Sequence, residues 1–119
     1  MANILVIDDS PVIRLKLRQI CERADHHIIG EALNGENGVT LHSSLRPDLI
    51  FLDMIMPEMG GIGAAARILQ NDPSAKIIII SSDADNNDVV RALKMGVKGY
   101  ILKPFHEDRI LQEIRKVLG

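Results

Sequence analysis

The chain has 119 residues, enough for one domain over residues 1–119 and too few for two. Hydrophobic residues make up 46% and charged residues 25%, a globular composition that excludes the disordered, collagen-like and coiled-coil classes. A net charge of −2, with one tyrosine, two phenylalanines and no tryptophan, argues against direct nucleic-acid binding, which needs a basic surface or stacking aromatic rings.

The cysteine content and the N-terminus predict a cytoplasmic protein. Cys21 is the single cysteine, so no internal disulfide can form and a reducing compartment is expected. The first residues lack a basic segment followed by a long apolar run, so no signal peptide is evident. The longest apolar runs have the length of strands and fall far short of the roughly 20 residues of a membrane span, so we expect no membrane insertion.

Three short runs are apolar at every residue, namely residues 4–7, 49–52 and 77–80. Unbroken runs this short indicate strands that are covered on both faces, as in a parallel sheet. Residues 27–32 and 99–102 are two weaker strand candidates.

Apolar residues at helical spacing lie between the strands. Ser10 is the expected N-cap of the first helix and Pro11 its first residue. The clearest apolar stripes are Ile13, Leu17, Ile20, Cys21 and Ala24, then Ile62, Ala65, Ala66 and Leu69, and then Ile110, Ile114, Val117 and Leu118. Residues 35–45 and 87–95 are weaker helix candidates. Five strand–helix units predict an α/β fold with a doubly wound parallel sheet, for which 2-1-3-4-5 is a common strand order.

Polar residues follow the predicted strands. Asp8 and Asp9 follow the first strand, Asp53 the third, Ser81 the fourth and Lys103 the fifth. In the order 2-1-3-4-5 the first and third strands are neighbours, so the three carboxylates crowd together at a cost of several kcal/mol. Either some of them are protonated or a cation lies among them. Carboxylates without histidine or thiol favour Mg²⁺ over zinc, with Mn²⁺ as a substitute.

A divalent cation, the Lys103 ammonium and the Ser81 hydroxyl around one carboxylate form a receptor for a phosphoryl group. Such groups stabilise the negative charge that spreads over the phosphoryl oxygens in the transition state. The carboxylate between them is the natural nucleophile.

Five motifs in this order resemble the receiver domain of two-component response regulators, especially its stand-alone CheY-like type. They are residues 4–10 (ILVIDDS), 47–53 (PDLIFLD), 56–59 (MPEM), 77–81 (IIIIS) and 99–105 (GYILKPF). The resemblance covers essentially the whole chain. It implies a flavodoxin-like (βα)5 fold with a five-stranded sheet of order 2-1-3-4-5.

The resemblance also implies roles for the acidic residues. Asp53 is the expected phospho-acceptor. Asp9 is the expected direct Mg²⁺ ligand, Asp8 acts on the metal through water, and the backbone carbonyl of Ile55 is a third protein ligand.

Further roles follow from the same resemblance. Ser81 is expected to turn its hydroxyl toward the phosphoryl group and Lys103 to form an ion pair with it. Pro57 and Pro104 are expected to set loop geometry, with a cis bond between Lys103 and Pro104. Tyr100 is expected to be the aromatic switch, with simple packing as the alternative.

The implied partners are a histidine kinase and a target protein, and a phosphatase remains open as a third. The target would bind to the fourth helix, fifth strand and fifth helix, near Val89, Leu93, Tyr100 and Leu102. The chain shows no output domain, which favours a chemotaxis-type messenger. The alternative is the receiver portion of a DNA-binding transcriptional regulator.

Two enzyme-like readings are weaker. Aspartate-nucleophile phosphatases usually place a second acid two residues after the nucleophile, where this chain has Ile55. A flavodoxin-like electron carrier needs a phosphate cradle and stacking aromatics that the first loop lacks.

The lifetime of the phosphorylated state is not predicted. Ile55 cannot orient an attacking water through its side chain, whereas Asp83 could.

Several other polar side chains are expected to be solvated. This expectation covers the histidines, which show no metal-ligand spacing, and the basic face of the first helix, where a kinase has room to dock. The residues are His26, His27, His42 and His106, and Arg14, Lys16, Arg18 and Arg23.

Overall fold

Strands and helices alternate along the whole chain in a computed structural model that describes residues 1–56, 58–82 and 87–119. The strands are β1 (Asn3–Ile7), β2 (His27–Ala32), β3 (Leu49–Asp53), β4 (Ile77–Ser81) and β5 (Gly99–Leu102). The helices are α1 (Pro11–Arg23), α2 (Gly35–Leu45), α3 (Gly60–Asn71), α4 (Asn87–Met95) and α5 (Glu107–Leu118).

The sheet is parallel and has the order β2-β1-β3-β4-β5, which confirms the predicted topology. Its register aligns Ile7 of β1 with Leu52 of β3, and Ser81 of β4 with Leu102 of β5. The carboxyl ends of β1, β3, β4 and β5 therefore lie side by side, and the polar residues that follow them share one edge.

The sheet is covered on both faces, which explains why its central strands are apolar at consecutive positions. Side chains alternate between two cores. One core joins residues such as Leu52 and Ile79 to α2, α3 and α4, and the other joins residues such as Phe51 and Ile80 to α1 and α5. Burial of each large aliphatic side chain contributes about 1.5–3 kcal/mol, so the unbroken runs hold the layers together.

The start of α1 is set by local sequence. The hydroxyl of Ser10 accepts a hydrogen bond from the Ile13 amide at 3.3 Å, and Pro11 is the first helical residue. Both predictions are confirmed. Cys21 lies on the buried face of this helix, where burial raises the pKa of its thiol to about 12.

Two expectations about side-chain exposure are wrong. His42 is buried, with Nε2 3.4 Å from Oδ2 of Asp72, because its face of α2 packs toward the end of α3. Val89 is buried too, and its neighbour Val90 is the exposed valine of α4.

Within the described residues, none of the helices combines the length and the hydropathy needed to span a membrane.

Candidate functional site

Three carboxylates meet at the carboxyl edge of the sheet. Asp8 and Asp9 follow β1, and Asp53 is the last residue of β3. Each contributes an oxygen to a group whose members all lie within 4.8 Å of one another. Asp8 and Asp53 are buried and Asp9 is exposed, so the group opens to solvent on one side. The predicted clustering of these residues is confirmed.

Asp8 is held in place by hydrogen bonds from three directions. Its amide donates to the carbonyl of Ala32 at 3.0 Å, and its Oδ1 accepts from the amide of Ser10 at 2.8 Å. Nη1 of Arg14 donates to the Asp8 carbonyl at 2.8 Å. The turn that carries the acidic pair is thereby fixed to β2 and to α1.

Arg14 is itself positioned by Glu31 on the edge strand β2. Nε of Arg14 lies 3.0 Å from Oε1 of Glu31, and Nε of Arg18 lies 3.0 Å from Oε2 of the same carboxylate. The hydrogen bond from Arg18 holds the pKa of Glu31 below its usual range. The expectation of a solvated basic face is wrong for Arg14, whose side chain is 15% exposed. The sequence signal for this network was the pair Arg14 and Arg18, one helical turn apart in the helix that precedes the strand of Glu31.

Lys103 approaches the acidic group from the end of β5. Its Nζ lies 3.3 Å from Oδ1 of Asp53 and 3.4 Å from Oδ2 of Asp8. Its amide donates to the carbonyl of Ser81 at 2.7 Å, and its bond to Pro104 is cis, as predicted. One ammonium therefore bridges two buried carboxylates.

The charge at this edge is unbalanced toward the negative. Burial raises the pKa of the Asp53 carboxyl, and the Asp8 charge raises it further. Lys103 and the Ile55 amide, which donates to Oδ1 of Asp53 at 3.3 Å, oppose this rise without cancelling it. A group of oxygen donors with excess negative charge fits a hard divalent cation such as Mg²⁺.

The other predicted site residues lie around this cluster. Ser81, the fully buried last residue of β4, lies on the strand between those of Asp53 and Lys103. The Tyr100 side chain is partly buried and packs against the core on the α2, α3 and α4 face. The Ile55 side chain is 63% exposed. Pro57 and Asp83 lie outside the described residues.

The chain is similar to known signalling proteins over its full length. The sequence profile of the response regulator receiver domain matches residues 4–115. The chemotaxis protein CheY of Thermotoga maritima is 39% identical over 97% of this chain and 96% of its own length. The nitrate/nitrite response regulator protein NarL of Escherichia coli is 40% identical over 97% of this chain, which spans 54% of that protein.

Solved structures agree with these sequence matches. A crystal structure of a CheX–CheY complex with BeF3 and Mg²⁺ from Borrelia burgdorferi contains a chain that is 32% identical to this one. It superposes with a TM-score of 0.94 over 98% of this chain and 89% of the matched one.

Proposed function

The chain belongs to the family of response regulator receiver domains, and from this premise we propose that it is a signalling switch that a histidine kinase phosphorylates on Asp53. One observation carries the proposal. Asp53 is a buried carboxylate beside two further carboxylates and in contact with the Lys103 ammonium. A phosphoryl receptor needs this combination of a nucleophile, a cation site and a fixed positive charge.

The transfer begins with the ionised carboxylate of Asp53. One of its oxygens attacks the phosphorus of a phosphohistidine on the kinase, the P–O bond forms and the P–N bond breaks. The histidine leaves with the electron pair of that bond and takes up a proton. Since the cluster is open on the side of Asp9, the phosphoryl donor approaches from there.

A magnesium ion would be held by the carboxylates of Asp9 and Asp53 and by the carbonyl of Ile55, with Asp8 acting on it through water. Bound there, Mg²⁺ neutralises the negative charge that gathers on the phosphoryl oxygens. The BeF3 and Mg²⁺ of the related Borrelia CheY complex support this assignment.

Phosphorylation then changes the contacts of the neighbouring strand ends. The Lys103 ammonium moves from its two carboxylates toward the phosphoryl oxygens, and the hydroxyl of Ser81 donates to another of them. These shifts favour one position of the Tyr100 ring, which packs against the core on the α2, α3 and α4 face, and so bias an equilibrium that exists before phosphorylation.

The target binds to the surface of α4, β5 and α5. Four large apolar side chains among the described residues there are exposed, with Val90 at 51%, Leu93 at 43%, Leu102 at 42% and Met95 at 38%. Apolar residues gathered at a switching surface are typical of a protein interaction site. A chemotaxis-type messenger is the favoured output, since the Thermotoga CheY matches this chain over 96% of its own length.

The match to NarL supports a second candidate, the receiver portion of a transcriptional regulator. In both cases the protein acts in the cytoplasm, where histidine kinases present their phosphohistidine. It turns over its own acyl phosphate and no separate substrate.

The experiment is labelling with acetyl phosphate and Mg²⁺, followed by intact mass spectrometry. The wild type is expected to gain one phosphoryl group, and Asp53→Asn none. Asp108→Asn, on the exposed first turn of α5, is the matched control and should label like the wild type. Equal labelling of Asp53→Asn and the wild type would refute the assignment.

A further inference from the structure

Helix α5 buries a carboxylate that the phosphoryl site does not use. Glu113 is 2% exposed, and its Oε1 accepts a hydrogen bond from Nη1 of Arg109 one turn earlier. Its Oε2 is buried with no hydrogen-bond partner among the described residues. Because burial of a charge is costly unless the charge is paired, the carboxylate depends on its ion pair with Arg109 and on the Lys116 ammonium, whose Nζ lies 3.9 Å from Oε2.

The buried carboxylate lies directly against the backbone of β5. A Cβ at position 99 would overlap Oε2 of Glu113, so glycine at this position lets the carboxylate reach the strand. The other arm of the same guanidinium, Nη2 of Arg109, donates to the carbonyl of Tyr100 at 2.9 Å. One arginine thus connects a buried acid of α5 to the backbone of the predicted switch residue.

The carbonyl of Tyr100 lies on the open edge of the sheet. β5 is the last strand of the sheet, and the amide of Lys103 points inward to the carbonyl of Ser81 on β4. Because backbone groups alternate in direction along a strand, the carbonyl of Tyr100 points outward. No further strand pairs with this edge within the described residues, so the hydrogen bond from Arg109 takes the place of a strand partner.

The hydrogen bond from Arg109 to the Tyr100 carbonyl links groups that lie on opposite faces of β5. The Tyr100 ring packs on the face of α2, α3 and α4, whereas Ile110 and Ile114 bind α5 to the opposite face. Arg109 therefore connects α5 to the backbone from which the ring extends on the other side.

We propose that Arg109 and Glu113 are positioning residues that hold the backbone of β5 at Tyr100 and so determine how completely the ring changes position on phosphorylation. This inference rests on the proposed function. A ring attached to a fixed backbone has one preferred position before phosphorylation and another after it. If the backbone loosens, the ring samples both positions beforehand, and the difference between the two states becomes smaller.

The sequence offers a direct readout, since Tyr100 is the only tyrosine and the chain has no tryptophan. We would measure tyrosine fluorescence of the full chain with Mg²⁺, before and after addition of beryllofluoride as a phosphoryl mimic. Arg109→Gln and the nearly isosteric Glu113→Gln are expected to reduce the change in fluorescence at least twofold. Arg115→Gln, at an exposed arginine of the same helix, is the matched control and should keep the wild-type change.

Arg109→Lys separates the carbonyl bond from the charge. A single ammonium can pair with Glu113 but lacks the second arm that reaches the Tyr100 carbonyl, so this variant should behave like Arg109→Gln. A full fluorescence change in Arg109→Lys, or in both glutamine variants, would overturn the positioning role.

The wild type separates this proposal from the proposed function. If acetyl phosphate labels Asp53 but tyrosine fluorescence does not respond to beryllofluoride, the positioning role is overturned and the phosphorylation switch stands. If the wild type neither labels nor responds, both proposals are overturned.

Discussion

Replacing Asp53 by asparagine should stabilise the protein while it abolishes phosphorylation. At an effective dielectric constant of about 20, the charges of Asp53 and Asp8, within 4.8 Å, repel by about 3.5 kcal/mol. The Lys103 ammonium at 3.3 Å from Asp53 offsets this by about 5 kcal/mol. Burial of the carboxylate costs several kcal/mol more. The raised pKa of Asp53 shows that burial and repulsion together outweigh the lysine.

The sign of the effect follows from this pKa. A carboxyl whose pKa rises on folding destabilises the folded state at pH values above that pKa, and the penalty disappears below its ordinary pKa of 3.8. Replacing a buried charge by a neutral group of similar volume is often neutral or stabilising by about 1–4 kcal/mol, so we expect Asp53→Asn to be more stable than the wild type at pH 7.5 without Mg²⁺. The melting temperature should rise by several degrees for each kcal/mol of stability gained.

Urea unfolding followed by circular dichroism, in EDTA and again in Mg²⁺, measures this difference. Mg²⁺ should stabilise the wild type more than Asp53→Asn and so reduce the difference in their free energies of unfolding. Asp108→Asn controls for the loss of an exposed acid. A variant that is less stable than the wild type at pH 7.5 in EDTA would refute the electrostatic reasoning.

Three further predictions concern the residues that position the site and the buried core. Arg14→Ala removes the donor to the Asp8 carbonyl and should weaken Mg²⁺ binding several-fold by calorimetry; unchanged affinity would contradict this positioning. Gly61→Ala should destabilise the fold by about 2 kcal/mol or more in urea unfolding, because its Cβ would overlap the backbone carbonyl oxygen of Asp53. Gly63→Ala should cost less, because its Cβ meets a side chain, that of Met59, and because alanine favours a helix over glycine. The buried Cys21 should resist thiol reagents at pH 8 in the native state, and rapid modification would contradict its raised pKa.

The sequence was most informative where a residue pattern is typical of a single structural environment. Unbroken apolar runs predicted β1, β3 and β4, because runs this short are typical of strands covered on both faces, whereas β2 and β5 were weaker candidates. Asp8, Asp9, Asp53 and Lys103 were predicted to meet because parallel strands end at a common edge. The cis bond before Pro104 was expected from the family resemblance.

Side chains whose environment depends on long-range packing were not predicted. His42 was expected in solvent, but the approach of α3 buries it beside Asp72. In the sequence, Glu113 resembles an ordinary surface charge of a helix. Only the packing of α5 against Gly99 of β5 shows that it is buried. Spacing within a helix shows which residues share a face, but the neighbouring element decides whether a charge on that face is paired or solvated.

The position of the phosphoryl group on the phosphorylated chain tests the account most directly. Borohydride reduction converts a phosphoaspartate to homoserine, and peptide mass spectrometry then identifies the modified residue. After reaction with acetyl phosphate and Mg²⁺, homoserine should be found at position 53 and at no other aspartate. Homoserine at Asp8 or Asp9, or a phosphoryl group that survives on a serine or histidine, would contradict the account.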